Sequence, residues 1–302
     1  MTVIAEIPYK DGVLVVADSR VTIMPKEYSD EQEFERRVSY ADGQSKITKS
    51  KDGNIVTASA GSALLDVLTT AVIMENVVDL EGMSSGNTVA GVAAVKDGLT
   101  KVVDMVGSSK IFGEQNAIVL VTVKCSDGVI RPLIATMDTN NDTKPEDRVL
   151  FAQLKPASQM PEGCGFGADD IVGERLKYYV NTNCPNPSAR TIEDAIAVGI
   201  MLENEYINKV TYEDTKFGKA LLSTVAAPIM LVGVQRGQDV ELTMSKTEMS
   251  ILNKKTFAEI KEFVSNKIAL KQIEVEAQKA ASLALPSAEI DIAHPKPLKS
   301  IG

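Results

Sequence analysis

Residues 2–20 read TVIAEIPYKDGVLVVADSR. Residues 2–9 and 13–17 are runs of β-branched and apolar side chains, as buried strands require, and Lys10-Asp11-Gly12 between them is a turn signal. The stretch predicts a hairpin that starts at the second residue and ends in Asp18-Ser19-Arg20. The same grammar recurs downstream. Residues 46–50 and 54–59 flank Lys51-Asp52-Gly53, and residues 117–123 and 129–136 flank Ser126-Asp127-Gly128. After Gly61 the apolar spacing becomes helical, in SALLDVLTTAVIMENVV and again over 88–106. A further strand candidate at 149–154 precedes helices over 169–180 and 191–209, the second with Thr191 as cap and Asp194 in its first turn. Residues 228–235 and 239–244 close as a strand pair. Strands, two helices, strands, two helices, strands is an α+β order. It predicts two antiparallel sheets face to face with helices on both outer faces, a four-layer αββα sandwich; a parallel wind requires strict alternation instead.

Two segments stand outside this pattern. Residues 25–45, PKEYSDEQEFERRVSYADGQS, are polar and charged and read as a surface excursion holding a short helix. Residues 253–284 read as one long helix with an apolar stripe of Phe257, Ile260, Val264, Ile268 and Ile273, which either packs on the body or docks on a neighbouring subunit. Three prolines from Pro286 onward mark a trailing tail. The expected organisation is a domain over 1–244 and a C-terminal helical arm and tail over 245–302.

Composition removes several function classes. A formal net charge of −9, no Trp and 5% aromatic residues argue against nucleic acid or an anionic membrane as partner. No run of eighteen apolar residues exists, and no basic stretch leads into an apolar one at the N-terminus, so a cytoplasmic protein is expected. The three cysteines, Cys125, Cys164 and Cys184, have no disulfide or zinc spacing. The one histidine, His294, lies in the proline-containing tail. Neither a His-based triad, a metal nor a cofactor is therefore expected, and any hydrolytic chemistry must take its base from elsewhere.

Thr2 offers one. Removal of Met1 is favoured when the next side chain is small, and it leaves an α-amine and a hydroxyl on the same residue. An α-amine titrates near pH ~8, so its neutral fraction can accept the hydroxyl's proton. Alone, a Met-Thr start is a weak signal. Asp18 follows sixteen residues after Thr2, in Ala17-Asp18-Ser19-Arg20; Lys46 comes in Ser45-Lys46-Ile47; Gly61 follows fifteen residues later, in Ser59-Ala60-Gly61-Ser62.

That order resembles the proteasome β-subunit family of N-terminal-threonine hydrolases. The hairpin with its KDGV turn and ADSR end, the SKI strand and the ASAGS strand-to-helix corner match its pattern in sequence. The resemblance spans roughly 2–244 and is strongest over the first sixty-odd residues. It implies an N-terminal-nucleophile hydrolase fold, a threonine endopeptidase without cofactor, peptide or unfolded-protein substrates, assembly into a homo-oligomer such as a ring, and an ATPase as a further partner. Thr2 would be the nucleophile, and Lys46 the charge beside its hydroxyl. Asp18 would pair with Lys46 and keep it charged, and Gly61 would be the oxyanion donor, its missing Cβ letting substrate approach. Asp214 and Ser223 are the candidates for the supporting Asp and Ser, and Cys164 of Gly163-Cys164-Gly165 stands where the family has a second serine. Val21, Ser59, Ala63 and Val67 match the substrate pocket, and Thr22 the residue whose backbone aligns an extended substrate. This lining carries no charge, so no strong preference for acidic or basic side chains is expected.

The sequence departs from the family in a longer stretch between Asp18 and Lys46 and in the region around Asp214. Two rival readings follow: an acyl-enzyme intercepted by an amine, giving a transpeptidase or specific amidase, and an inactive scaffold subunit that kept the motif.

Overall fold

The computed structural model describes residues 2–23, 29–83, 89–109, 115–140, 142–154, 159–167, 171–207, 211–215, 218–222, 225–235 and 239–284. It divides into two compact units, Met1–Val264 and Ser265–Gly302. In chain order the strands and helices are β1 (Val3–Tyr9), β2 (Gly12–Ala17), β3 (Val21–Ile23), α1 (Glu31–Arg37), β4 (Ser39–Ala41), β5 (Ile47–Lys49), β6 (Ile55–Gly61), α2 (Ala63–Glu75), α3 (Val77–Glu81), α4 (Val89–Gly107), β7 (Asn116–Lys124) and β8 (Ile130–Asp138). The chain continues with β9 (Val149–Gln153), β10 (Cys164–Gly167), α5 (Val172–Asn183), α6 (Ile192–Ile207), β11 (Thr211–Thr215), β12 (Gly218–Leu222), β13 (Ile229–Gln235), β14 (Val240–Met244), α7 (Lys246–Leu252) and α8 (Phe257–Ala284). Among the described residues, no helix is long and apolar enough to cross a membrane.

The fold is mixed α+β with antiparallel sheets. One five-stranded sheet has the order β10-β1-β2-β13-β14 and the other β5-β6-β7-β8-β9. The opening stretch forms the expected hairpin, with Ile4 opposite Ala17 and Tyr9 opposite Gly12. All seven residues of β1 are buried, because it runs mid-sheet under cover on both faces. One buried cluster joins Ile4, Val15, Ala17, Val232 and Val234 of the first sheet to Val56, Ala58, Leu120 and Ile134 of the second. A second joins the other face of β6–β9, through Ile55, Val119, Leu133 and Phe151, to Leu65 and Ile73 of α2 and Leu99 and Val103 of α4. Each such Val, Leu or Ile contributes roughly 1.5–3 kcal/mol by leaving water. On the first sheet α6 lies so close that a Cβ on Gly199 would stand 2.9 Å from Val16 and 3.3 Å from Leu231.

Local signals account for the helix starts. Thr191 and Asp194 cap α6 reciprocally, Thr191 N–H donating to Asp194 at 2.9 Å and Asp194 N–H to Thr191 Oγ1 at 3.3 Å. The helix expected over 253–284 begins at Phe257, behind Thr256 and Glu259, whose T-x-x-E spacing caps it. A separate α7 precedes it, started by the Ser245–Glu248 capping box. Residues 25–45 do contain a short helix, α1, and β4 within the same excursion pairs with β3.

Candidate active site

Thr2, Asp18 and Lys46 meet at the end of the first hairpin. Thr2 and Asp18 lie at the same end of the paired β1 and β2 because the hairpin returns the chain to its start. Asp18 is locked by backbone. Its Oδ1 accepts the Val3 N–H at 3.1 Å and its Oδ2 the Arg20 N–H at 2.9 Å. Lys46 comes from the residue before β5 on the other sheet, held where its carbonyl accepts the Ser59 N–H at 3.2 Å. Its Nζ donates to Asp18 Oδ1 at 2.9 Å and also to Thr2 Oγ1. All three are buried, Thr2 5%, Asp18 0% and Lys46 8% exposed. Burial pulls the Lys46 ammonium below its ordinary range and the charge of Asp18 pushes it back; burial raises Asp18, which Lys46 and its two backbone donors oppose.

Gly61 ends β6 at φ +112°, left-handed backbone that favours glycine. A Cβ there would collide with the Asn116 carbonyl and stand 2.8 Å from Ala117 Cα. The glycine is therefore required by the close approach of β7, a different reason from the expected access for substrate. Its N–H direction follows from strand alternation. Ser59 N–H donates to Lys46 O at 3.2 Å, so Gly61, two residues on along β6, aims its N–H to that same side, away from β7.

A cavity of about 570 Å³ opens above these groups. Val21, Thr22, Ser59 and Ala63 line it, as does Gly61, whereas Val67 is 65% exposed and is not among the lining residues. β3 belongs to a two-stranded sheet with β4, which leaves it an unpaired edge among the described residues. The expectation of an uncharged lining is corrected: Arg20 and Asp66 both face the cavity. Arg20 is held by Asp42 through two bonds of 2.6 and 2.8 Å and lies over the Tyr40 ring, 4.6 Å from its centre. Asp66 accepts hydroxyl hydrogen bonds from Ser59 and from Thr70, the latter at 3.4 Å.

The supporting residues are placed differently. Asp214 lies in β11, opposite Lys219 in a β11–β12 hairpin that, among the described residues, pairs with neither five-stranded sheet. Ser223 lies outside the described residues. Cys164 starts β10 opposite Glu6, three residues along from the pair Val3–Gly167, so the register sets it roughly 10 Å from the Thr2 end. The residue that β10 brings to Thr2 is Gly167, where a Cβ would collide with the Thr2 carbonyl. Gly163 and Gly167 of this run press on backbone at Glu6 of β1 and at Thr2 just before it, while Gly165 faces Val172 and Leu176 of α5.

Glu203 was not legible at all. It sits on α6 one turn after Gly199, is 0% exposed, and among the described residues neither carboxyl oxygen has a hydrogen-bond partner. Burial and the charge of Asp18 hold its carboxyl well above the ordinary range, against the pull of Lys46.

No family model matches the chain. No curated protein matches it either. Solved structures do. An Anbu mutant from Hyphomicrobium sp. strain MC1 matches at 15% identity and TM-score 0.51, covering 91% of this chain and 100% of its own. Anbu from Yersinia bercovieri, described as an ancestral beta-subunit, matches at 11% identity and TM-score 0.52, covering 95% of this chain and 99% of its own. At these identities the likeness is one of fold. It corrects the resemblance drawn from sequence: these structures are Anbu, not a proteasome β-subunit. The motifs that carried that resemblance lie within the first sixty-two residues, too short a stretch to separate relatives that share a fold.

Proposed function

We propose that this chain is a threonine-type N-terminal-nucleophile hydrolase that cleaves peptide bonds after Met1 is removed. The observation that carries the reading is Lys46 Nζ, which donates both to Thr2 Oγ1 and to a backbone-locked Asp18 at the floor of a cavity. In this mechanism the Thr2 α-amine, directly or through one water, takes the Oγ1 proton as Oγ1 bonds to the substrate carbonyl carbon. Lys46 stabilises the negative charge on Oγ1 and Asp18 holds Lys46 in place. The Gly61 N–H stabilises the carbonyl oxygen as it becomes an oxyanion. Collapse breaks the C–N bond, and the leaving amine receives the proton from the α-ammonium. Water then attacks the Thr2 ester by the same route in reverse.

The wider reading is an N-terminal-nucleophile fold of four layers, αββα. Its support is the buried cluster between the sheets and the helices packed on their outer faces. Residues 1–244 form the catalytic domain and 245–302 the arm. The enzyme acts in the cytoplasm as a homo-oligomer that restricts access to extended chains, and sedimentation tests that by returning a multiple of the chain mass. For the chemistry, fluorogenic peptide hydrolysis is measured on chains shown by intact mass to begin at Thr2. Thr2→Ala is expected to reduce kcat by about 10³-fold or more. Turnover unchanged in that variant sinks the mechanism.

A further inference from the structure

Among the described charged side chains that line the cavity, two are ion-paired and one is not. Lys46 is taken by Asp18 and Arg20 by Asp42, each in a direct ion pair. Asp66 has no such partner. Its hydrogen bonds come from the neutral hydroxyls of Ser59 and Thr70, and among the described residues no basic side chain pairs with it. It is the carboxylate left for a ligand. The wall beside it is built of small residues, Ser59, Ala60, Gly61, Ser62 and Ala63, so the space above Thr2 is wide enough for a long side chain.

We infer that Asp66 makes this cavity a subsite for a cationic side chain, the ammonium of Lys or the guanidinium of Arg, on the residue whose carbonyl Thr2 attacks. The inference rests on the hydrolase reading for the position of the scissile bond and deepens it by naming the substrate class. A carboxylate partly withdrawn from water without a countercharge is costly to keep, and a bound cation supplies one. Burial raises the Asp66 carboxyl above its ordinary range, against the hydroxyls of Ser59 and Thr70 and the charge of Lys46 across the same cavity. The competing role for Asp66 is structural. It lies in the first turn of α2, where a carboxylate favours the helix N-terminus. That role predicts lower stability on substitution and no change in which substrates bind.

Two readouts separate the possibilities on the full chain. The first is binding of p-aminobenzamidine, an amidinium that needs no bond cleavage, followed by its fluorescence. Wild type is expected to bind, more weakly as salt is raised, with Asp66→Asn weakening the affinity about tenfold or more and Asp66→Glu restoring most of it. The second is kcat/KM for peptides with Arg, Leu or Glu before the scissile bond. Arg is expected to lead, and Asp66→Asn to lower the Arg-to-Leu ratio about 10- to 100-fold, chiefly through KM. Hydrolysis that favours Leu in wild type, or a ratio that Asp66→Asn leaves unmoved, overturns the subsite and leaves the Thr2 chemistry standing. Amidinium binding that depends on Asp66 in a chain that cleaves none of the peptides supports the subsite and removes the hydrolase reading. Should Asp66→Asn fail to fold, the wild-type salt dependence and Arg preference still decide: absence of both overturns the proposal.

Discussion

Asp18 and Asp66 are carboxylates around the same lysine, one buried beneath the floor of the cavity and one in its wall. The floor residue is fully buried, fixed by two backbone N–H groups and paired with Lys46. The wall residue stands on a helix, held by hydroxyls alone. Under the proposed function the contrast separates two jobs. Asp18, assigned to the chemistry, is locked by the main chain of the hairpin that carries it, so exchanging it breaks a network. Asp66, proposed to choose substrate, sits where an exchange is expected to cost the fold little and to alter what binds. Glu6 adds a third case on β1. It is buried as Asp18 is, but among the described residues it forms no ion pair; its hydrogen bond comes from the Thr122 hydroxyl at 2.5 Å, and burial raises its carboxyl to about 7.

The contrast can be broken first at its strongest point. Lys46→Met leaves Asp18 buried without its countercharge, so it is expected to cost about 3–5 kcal/mol in denaturant unfolding, besides removing activity. A loss under ~1 kcal/mol would mean that the floor is no more integrated than the wall. Glu6 sharpens the comparison through pH. Its folded carboxyl titrates near 7 rather than at the ordinary 4.5, so the native state holds a proton that the unfolded chain has released. Native stability is therefore present in full below about pH 4.5, falls as pH rises through the interval up to about 7, and levels off above. This one group accounts for on the order of 3 kcal/mol of that fall. Glu6→Gln should flatten the profile between pH 5 and 8 relative to wild type; an unchanged slope would show that Glu6 ionises freely in the fold. Gly61→Ala comes next, at about 1–3 kcal/mol for forcing β7 away from the new Cβ, with a drop in kcat if the displaced strand turns the Gly61 N–H from the cavity. Smallest is the stability effect of Asp66→Asn, within about 1 kcal/mol. A larger loss would move Asp66 from the wall's role to the floor's.

What the sequence made legible follows the same division. The floor depends on short-range rules. A D-G turn between two apolar runs fixes the hairpin, the hairpin returns Asp18 to Thr2, and the SKI strand and ASAGS corner set Lys46 and Gly61. The wall depends on how α2 is rotated about its axis. Neighbouring helical residues point about 100° apart, so Val67 and Asp66 exchange faces with a shift of one position. The sequence reading chose Val67; the fold turns Asp66 to the cavity and Val67 to solvent. Cys164 was misplaced for a related reason. Its distance from Thr2 is set by the register of β10 on β1, which no local motif specifies. The β11–β12 hairpin carries TYEDT and GKALL, neither with the alternation that marks a half-buried strand, so its strands were not anticipated. Glu203 lies beyond any local rule, since a lone acid on an amphipathic helix reads as solvated until the helix is packed.

The most direct test of the account is where an electrophile attaches. A peptide α′,β′-epoxyketone needs a hydroxyl and a free amine on one residue to form its ring adduct. The full chain, confirmed by intact mass to have lost Met1, is incubated with it and mapped by mass spectrometry. The account predicts one adduct per chain, on Thr2. A Met1-free chain that stays unlabelled, or that is labelled at another residue with Thr2 untouched, contradicts it.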